Sequence, residues 1–279
     1  MSNYNPEVTQ KGNNIEICKV KHFKLKETLD CGQAFRWSEI DENTWVGIAN
    51  NRRLVIGLNN GVITLYDCTM EEYERVWRKY FDIDRDYGAI IDIISKNEVL
   101  KKAAEQNYGI RILRQDKWET LCSFIISQNN NIPRIKGIIE RLCEGFGDAL
   151  EGGGYTFPSA EKIAELEPMD LAPIRSGFRA RYIIDGARKF VTGGIDLKLI
   201  ETADIDIARA ELMKITGVGV KVADCTLLFG FNRIDALPKD VWIKRAIEQY
   251  FDGKFPECAR GYEGIAQQYL FNYIRLQNT

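Results

Sequence analysis

Lys221 stands at the start of a helical pattern, and the first turn of a helix carries partial positive charge that favours Asp or Glu there over an ammonium. Unpaired backbone N–H dipoles at such a place favour the uncharged amine, which is a nucleophile for electrophilic carbon and the precursor of a Schiff base. Asp240 lies nineteen residues downstream, after Pro238 and Lys239 and just ahead of Val241, Ile243, Ala246, Ile247 and Tyr250. Its ordinary role is an N-cap. A carboxylate there could also accept a proton from Lys221 or face a developing positive charge. The bland alternative for Lys221 is a solvated side chain that tolerates a helix end.

The elements that must position this pair are legible around it. Ile207, Ala210, Leu212 and Ile215 mark one helical face, and Val222, Ala223, Leu227 and Phe231 resume another. The five residues between, Thr216 to Val220, allow only a tight reversal. Gly217 and Gly219 in that reversal permit positive φ and the close approach of another backbone, such as a nucleic-acid phosphate. Asn232 to Leu237 form a short connection that folds the third helix back towards the hairpin.

Composition bounds the partners. The chain has 279 residues, 45% of them hydrophobic, enough for a globular core. Its formal net charge of −2, from 38 basic and 40 acidic residues, does not by itself suggest nucleic acid. Local charge differs: between Pro173 and Thr192, Arg175, Arg179, Arg181, Arg188 and Lys189 face only Asp185. Such a stripe is either a solvated helix face or a phosphate track. Seven cysteines without a C-x-x-C pair read as reduced thiols, and a single histidine, His22, argues against zinc or histidine-base chemistry. No apolar run reaches membrane-spanning length and the N-terminus has no signal-peptide pattern, so a cytoplasmic protein without a membrane partner is expected.

Two regimes run along the chain. From about Asn14 to Cys68 the pattern is strand-like, with Trp45 to Ile48, Arg53 to Ile56 and Val62 to Tyr66 separated by turns such as Asn59-Asn60-Gly61. Thr69 with Glu72, and Asp116 with Glu119, are capping-box patterns that begin helices. Apolar positions 135, 138, 139, 142 and 146 give a further helix one buried face. Gly152-Gly153-Gly154 marks an exposed connection. The fold class expected is α+β: an N-terminal antiparallel sheet domain over 1–115 packed on a helical domain over 116–279, which carries the hairpin at about 207–231. The cleft between two such parts is a natural ligand site.

With these residues in view, the stretch Thr216-Gly-Val-Gly-Val-Lys-Val-Ala-Asp-Cys225 followed by Leu237-Pro-Lys-Asp240 resembles the helix-hairpin-helix signature of base-excision DNA glycosylases. The resemblance is closest to the 8-oxoguanine DNA glycosylase/AP lyases, and to a bacterial member. It recurs in Leu29 to Trp37 (LDCGQAFRW), Arg114-Gln115-Asp116, Ser127 to Ile135 (SQNNNIPRI), Gly177 to Tyr182 and Tyr262 to Phe271, spanning most of the chain.

That resemblance implies an enzyme that extrudes one damaged base, reads it in a pocket and fills the gap. Lys221 would be the nucleophile and Asp240 the catalytic carboxylate, giving base removal and strand cleavage through a Schiff base. The Gly32 carbonyl would accept from the N7–H that distinguishes 8-oxoguanine from guanine. Gln267 would bond the base's Watson–Crick edge, and Cys225 and Phe271 would form the two faces of a stacking slot; read alone, both are core residues. Asn129 would fill the vacated space, Arg134 and Arg179 would bond the estranged cytosine, and Phe178 would be the wedge, where animal relatives have tyrosine. Gly217 and Gly219 would meet the DNA backbone. Trp242 stands where those relatives place a phosphate-contacting histidine.

The resemblance also implies a structural sodium or potassium ion on the main-chain carbonyls of Met213, Ile215 and Val218, no catalytic cofactor, and no iron–sulfur cluster, since only Cys258 lies in the C-terminal region where endonuclease III-type relatives carry four cysteines. The expected partner is double-stranded DNA containing 8-oxoguanine opposite cytosine, bound by a monomer. Two alternatives remain open: a glycosylase of the same superfamily specific for oxidised pyrimidines or alkylated purines, and a non-enzymatic hairpin that only grips phosphate.

Overall fold

The computed structural model describes residues 4–277. Contacts divide the chain into two compact units. One comprises residues 1–47, 54–114 and 237–279, and the other residues 48–53 and 115–236.

The first unit is built on a six-stranded antiparallel sheet in the order β1-β2-β6-β5-β4-β3, where β1 is Glu7–Lys11, β2 Asn14–Cys18, β3 Trp37–Asp41, β4 Thr44–Ala49, β5 Arg52–Asn59 and β6 Val62–Tyr66. Register explains the core. Ile15 pairs with Leu65, Ile17 with Ile63 and Ile56 with Leu65, so alternate residues of three strands bury on one face. β1 was not expected from the sequence. It is an exposed edge strand without apolar alternation, held by its pairing to β2 across a turn at Gly12.

A helical stretch then opens at Thr69, whose hydroxyl accepts from the Glu72 N–H at 3.1 Å as the capping pattern predicts, and passes through a π-helical turn at Tyr73–Trp77. Helix Glu98–Gln106 packs against the C-terminal helix Glu263–Gln277. Three buried bonds hold this last helix: Gln268 to the Cys31 carbonyl, the Tyr269 hydroxyl to the Ile110 carbonyl, and Asn272 to the Asn107 side chain. They tie helix Glu263–Gln277 into the unit that carries the sheet, with which residues 237–279 group by contact. Contacts over sequence separations this long leave no local pattern.

The second unit is helical. Helices Lys117–Ser127 and Val220–Gly230 make its densest contact, and each is buried at nearly every position from 118 to 126 and from 222 to 229, as central helices must be. Asp116 caps the first of them, accepting from the Glu119 N–H at 2.8 Å. Helix Ile132–Phe146 buries Ile135, Ile138, Ile139 and Leu142, as the spacing predicts. The Gly152-Gly153-Gly154 run forms a turn with positive φ at all three residues.

Candidate active site

The hairpin joins helix Ile205–Leu212 to helix Val220–Gly230, and a near-buried ion pair braces the two: Arg209 Nε donates to Asp224 Oδ1 at 2.6 Å, with the Asp224 side chain 2% exposed. A third helix, Arg179–Thr192, anchors the reversal. Asp185 accepts from the Thr216 N–H at 2.7 Å and from Lys189 Nζ at 2.9 Å, while Lys189 also donates to the Lys214 carbonyl at 2.6 Å. Burial alone would raise the Asp185 carboxyl, but the bonds from Lys189 and Thr216 outweigh it and hold the carboxyl below its ordinary value.

The two hairpin glycines differ. Gly217 has φ +79°, and a Cβ there would lie 2.3 Å from the Tyr182 ring, so glycine is required twice over. Gly219 is extended, at φ −97°, and a Cβ there meets nothing, leaving open space above the backbone. Gly217→Ala is therefore expected to destabilise the protein by roughly 2 kcal/mol, measured as a lowered urea midpoint, whereas Gly219→Ala should leave the midpoint nearly unchanged.

Lys221 follows directly. Its Nζ lies 5.0 Å from the centroid of Phe124, a buried ring stacked on Phe229 with centroids 5.4 Å apart and 15° between planes. Within this unit the amine has no hydrogen-bond or carboxylate partner among the described residues, and the aromatic face is what holds it. Phe124 is a neighbour of the amine that its place in an apolar helix disguises as core. Cys225, one turn after Lys221 on the same helix, is buried.

The polar run Asn129 to Asn131 divides its roles. Asn131 caps helix Ile132–Phe146, accepting from the Arg134 N–H at 3.0 Å, and Asn129 takes a left-handed conformation at φ +49° and is exposed. Arg134 is exposed on the first turn of that helix. Arg179, by contrast, is 4% exposed, and its guanidinium donates to the carbonyls of Gln128, Asn129 and Ser176. Burial, and secondarily the neighbouring Arg134 charge, lower its basicity. Besides the base contact that the resemblance implies for it, Arg179 clamps the backbone of the asparagine turn. Phe178, 47% exposed, is edge-on to Tyr182 with centroids 5.7 Å apart and 4.4 Å from the Arg179 guanidinium, so its ring projects from a fixed base.

In the first unit, Asp240 caps helix Val241–Phe251, its Oδ1 accepting from the Ile243 N–H at 2.8 Å. Beside it an open depression of about 600 Å³ is lined by Lys239, Lys244 and Arg245 together with Ile247, Glu248, Gln249 and Gly253, so positive charge outweighs negative there, as a phosphate contact requires. Trp242 is 43% exposed, and the Arg245 guanidinium lies 5.8 Å from its ring centroid, so positive charge stands next to the indole.

Gly32, Gln267 and Phe271 come together in this same unit. Gly32 has φ +82°, and a Cβ there would point at Phe271 Cε1 from 3.6 Å. Gln267 and Phe271 are four residues apart on one helix and so share a face. Gln267 is 5% exposed, and its Oε1 is buried with no hydrogen-bond partner among the described residues. A buried unpaired amide oxygen is costly unless a ligand completes it. Two supporting residues went unassigned in the sequence reading. Gln33, fully buried, donates to the carbonyls of Thr28 and Arg111 and accepts from the Leu113 N–H, and Gln268 donates to the Cys31 carbonyl at 2.8 Å. Their only sequence signal is polarity within an apolar context.

The main-chain turn over Met213, Ile215 and Val218 supplies neutral oxygens, the donor type a hard monovalent cation takes. The Ile215 carbonyl accepts from the Val218 N–H at 3.0 Å, which leaves one lone pair. The donor set fits such an ion.

An antiparallel sheet unit and a helical unit with an amine-bearing hairpin define the class of base-excision repair proteins built on a helix-hairpin-helix, and residues 122–254 match the HhH-GPD superfamily base excision DNA repair model. Residues 16–121 match the N-terminal domain of 8-oxoguanine DNA glycosylase. The chain belongs to the 8-oxoguanine DNA glycosylase family.

Among its relatives, an N-glycosylase/DNA lyase of Saccharomyces cerevisiae is 31% identical over 263 residues, covering 84% of this chain and 68% of that one. A probable N-glycosylase/DNA lyase of Methanothermobacter thermautotrophicus is 32% identical over 238 residues, covering 74% of each. The crystal structure of Clostridium acetobutylicum 8-oxoguanine glycosylase/lyase with double-stranded DNA containing cytosine opposite 8-oxoG superposes with a TM-score of 0.91 at 36% identity, covering 98% of this chain and 99% of that one. No helix among the described residues is long and apolar enough to cross a membrane.

Proposed function

We propose that this DNA glycosylase is bifunctional and removes 8-oxoguanine paired with cytosine from double-stranded DNA, acting as a cytoplasmic monomer. The observation that carries the substrate is the unpartnered, buried Oε1 of Gln267 on the same face as Phe271, with Gly32 against that ring. A purine stacked on Phe271 would offer its N1–H and exocyclic amine to Gln267, and the N7–H of the oxidised base to the Gly32 carbonyl. Guanine has a lone pair at N7, which would face that carbonyl as acceptor against acceptor.

The Lys221 amine attacks C1′, the glycosidic bond breaks, and the base leaves with the bonding pair and takes up a proton. Asp240 stabilises the positive charge that develops on the sugar and relays the lysine proton. The C1′–O4′ bond of the resulting aminal then opens, O4′ taking up a proton, and the Schiff base so formed acidifies the C2′ proton; its loss expels the 3′ phosphate and cuts the strand. Gly217 and Gly219 admit the phosphate backbone, and Trp242, Lys239, Lys244 and Arg245 lie along it. A sodium or potassium ion on the carbonyls of Met213, Ile215 and Val218 would offset charge between hairpin and phosphate. On the opposite strand Asn129 fills the gap, Phe178 wedges the stack, and Arg134 and Arg179 bond the cytosine.

Single-turnover base release from duplexes carrying 8-oxoguanine, an alkylated purine or an oxidised pyrimidine tests the substrate. 8-Oxoguanine opposite cytosine should react fastest, and an inert 8-oxoguanine beside a reactive alkylated purine would refute the reading. Arg134→Ala should erase about 1–3 kcal/mol of the preference for cytosine over the other opposite bases; an unchanged ranking would remove Arg134 from that role.

A further inference from the structure

The carbonyl proposed to read N7–H belongs to a glycine, the residue whose backbone is freest to turn. A hydrogen bond that discriminates between two bases needs its acceptor fixed to within a few tenths of an ångström and a few tens of degrees. Gly32 has no side chain with which to fix it, so its neighbours must.

On the far side, Gln33 is fully buried and saturated: its amide nitrogen bonds the Thr28 and Arg111 carbonyls at 2.8 and 2.7 Å, and its oxygen takes the Leu113 N–H at 2.9 Å. On the near side, the Cys31 carbonyl and the Gly32 nitrogen belong to one planar peptide. Gln268 Nε2 donates to that carbonyl at 2.8 Å across 237 residues of sequence, and the Gln268 side chain is 3% exposed. Arg275, two turns further along the same helix, donates to the Asp30 carbonyl at 2.9 Å. Helix Glu263–Gln277 thus grips the glycine loop from the residues just before Gly32.

Gln268 is also the immediate neighbour of Gln267. Consecutive helical residues point about 100° apart, so one turns towards the loop while the other presents its free Oε1 to the slot. We propose that Gln268 is a positioning residue for base recognition: by holding the Cys31–Gly32 peptide it sets the Gly32 carbonyl in register with Gln267, so that the two readers of the base move as one body. This rests on the assignment of Gly32 as the N7–H acceptor.

The test compares native protein with Gln268→Met, which keeps the side-chain length and removes the donor. Three rates are measured, each normalised to the active fraction titrated by borohydride trapping on preformed abasic DNA, so that loss of folded protein cancels. They are release of 8-oxoguanine, release of its 7-deaza analogue, which has no N7–H donor, and strand cleavage at a preformed abasic site. Gln268→Met should lower 8-oxoguanine release roughly ten- to a hundredfold, shrink the ratio of 8-oxoguanine to analogue by a similar factor, and leave abasic-site cleavage unchanged.

An undiminished ratio in the variant overturns the proposal, as does an equal fall in all three rates, which would mark Gln268 as merely structural. A native enzyme that does not distinguish 8-oxoguanine from its 7-deaza analogue would instead refute the Gly32 reading itself. Gln268→Ala, which adds no bulk, carries the same comparison if methionine crowds the site.

Discussion

Lys221→Gln is expected to abolish the covalent adduct that borohydride traps between the native protein and duplex DNA containing 8-oxoguanine, and to slow base release on the order of 10⁴-fold. Glutamine matches the reach of the lysine stem but has no nucleophilic nitrogen. The packing around the position should survive, because Lys221 is only half-buried and the Phe124 face it meets is worth about 0.5–1 kcal/mol. Binding of the damaged duplex should therefore persist while chemistry stops. Gel-resolved trapping and single-turnover release measure the two parts separately. An adduct of native yield in the variant would place the nucleophile on another amine and leave Lys221 as a phosphate contact.

The second large effect belongs to Asp240. As a cap it accepts the Ile243 N–H at 2.8 Å, a role that asparagine fills equally well. As a catalytic carboxylate it must be charged, which asparagine is not. Asp240→Asn should hence change the unfolding free energy by less than about 0.5 kcal/mol yet lower base release about 10²- to 10³-fold through the lost electrostatic stabilisation. Asp240→Ala should add a loss of about 1 kcal/mol in stability from the missing cap. Urea titration and single-turnover kinetics on the same preparations distinguish the roles. Full activity in Asp240→Asn would reduce Asp240 to a cap.

The hairpin was readable because its signals are local. Two glycines in five residues fix a reversal, the flanking apolar spacing fixes the helices, and Pro238 ahead of Asp240 fixes a helix start. Capping at Thr69, Asp116 and Asp240 followed the same logic, each a bond to an N–H three residues on. β1 was not readable, because an edge strand takes its order from the partner it pairs with and carries no alternation of its own. Phe124 was hidden among core residues of helix Lys117–Ser127, since an aromatic that faces an amine and one that faces a leucine have the same spacing. Arg179 showed its charge in the sequence but not its grip on the Gln128 and Asn129 carbonyls.

By itself the sequence determined the residue types for the chemistry, the helix-hairpin-helix that carries Lys221, the cap at Asp240 and the α+β class, all of them set by turns, caps and periodicities spanning fewer than about twenty residues. The tertiary structure alone decided which buried polar groups are satisfied and which are left open. That Gln268 gives its amide to the Cys31 carbonyl, while the oxygen of Gln267 stays unpaired beside Phe271, depends on contact between segments more than two hundred residues apart, and Gln33 is filled by the Thr28 and Arg111 carbonyls and the Leu113 N–H. Such contacts are set by packing of the whole unit, and nothing in the local pattern of either segment encodes them.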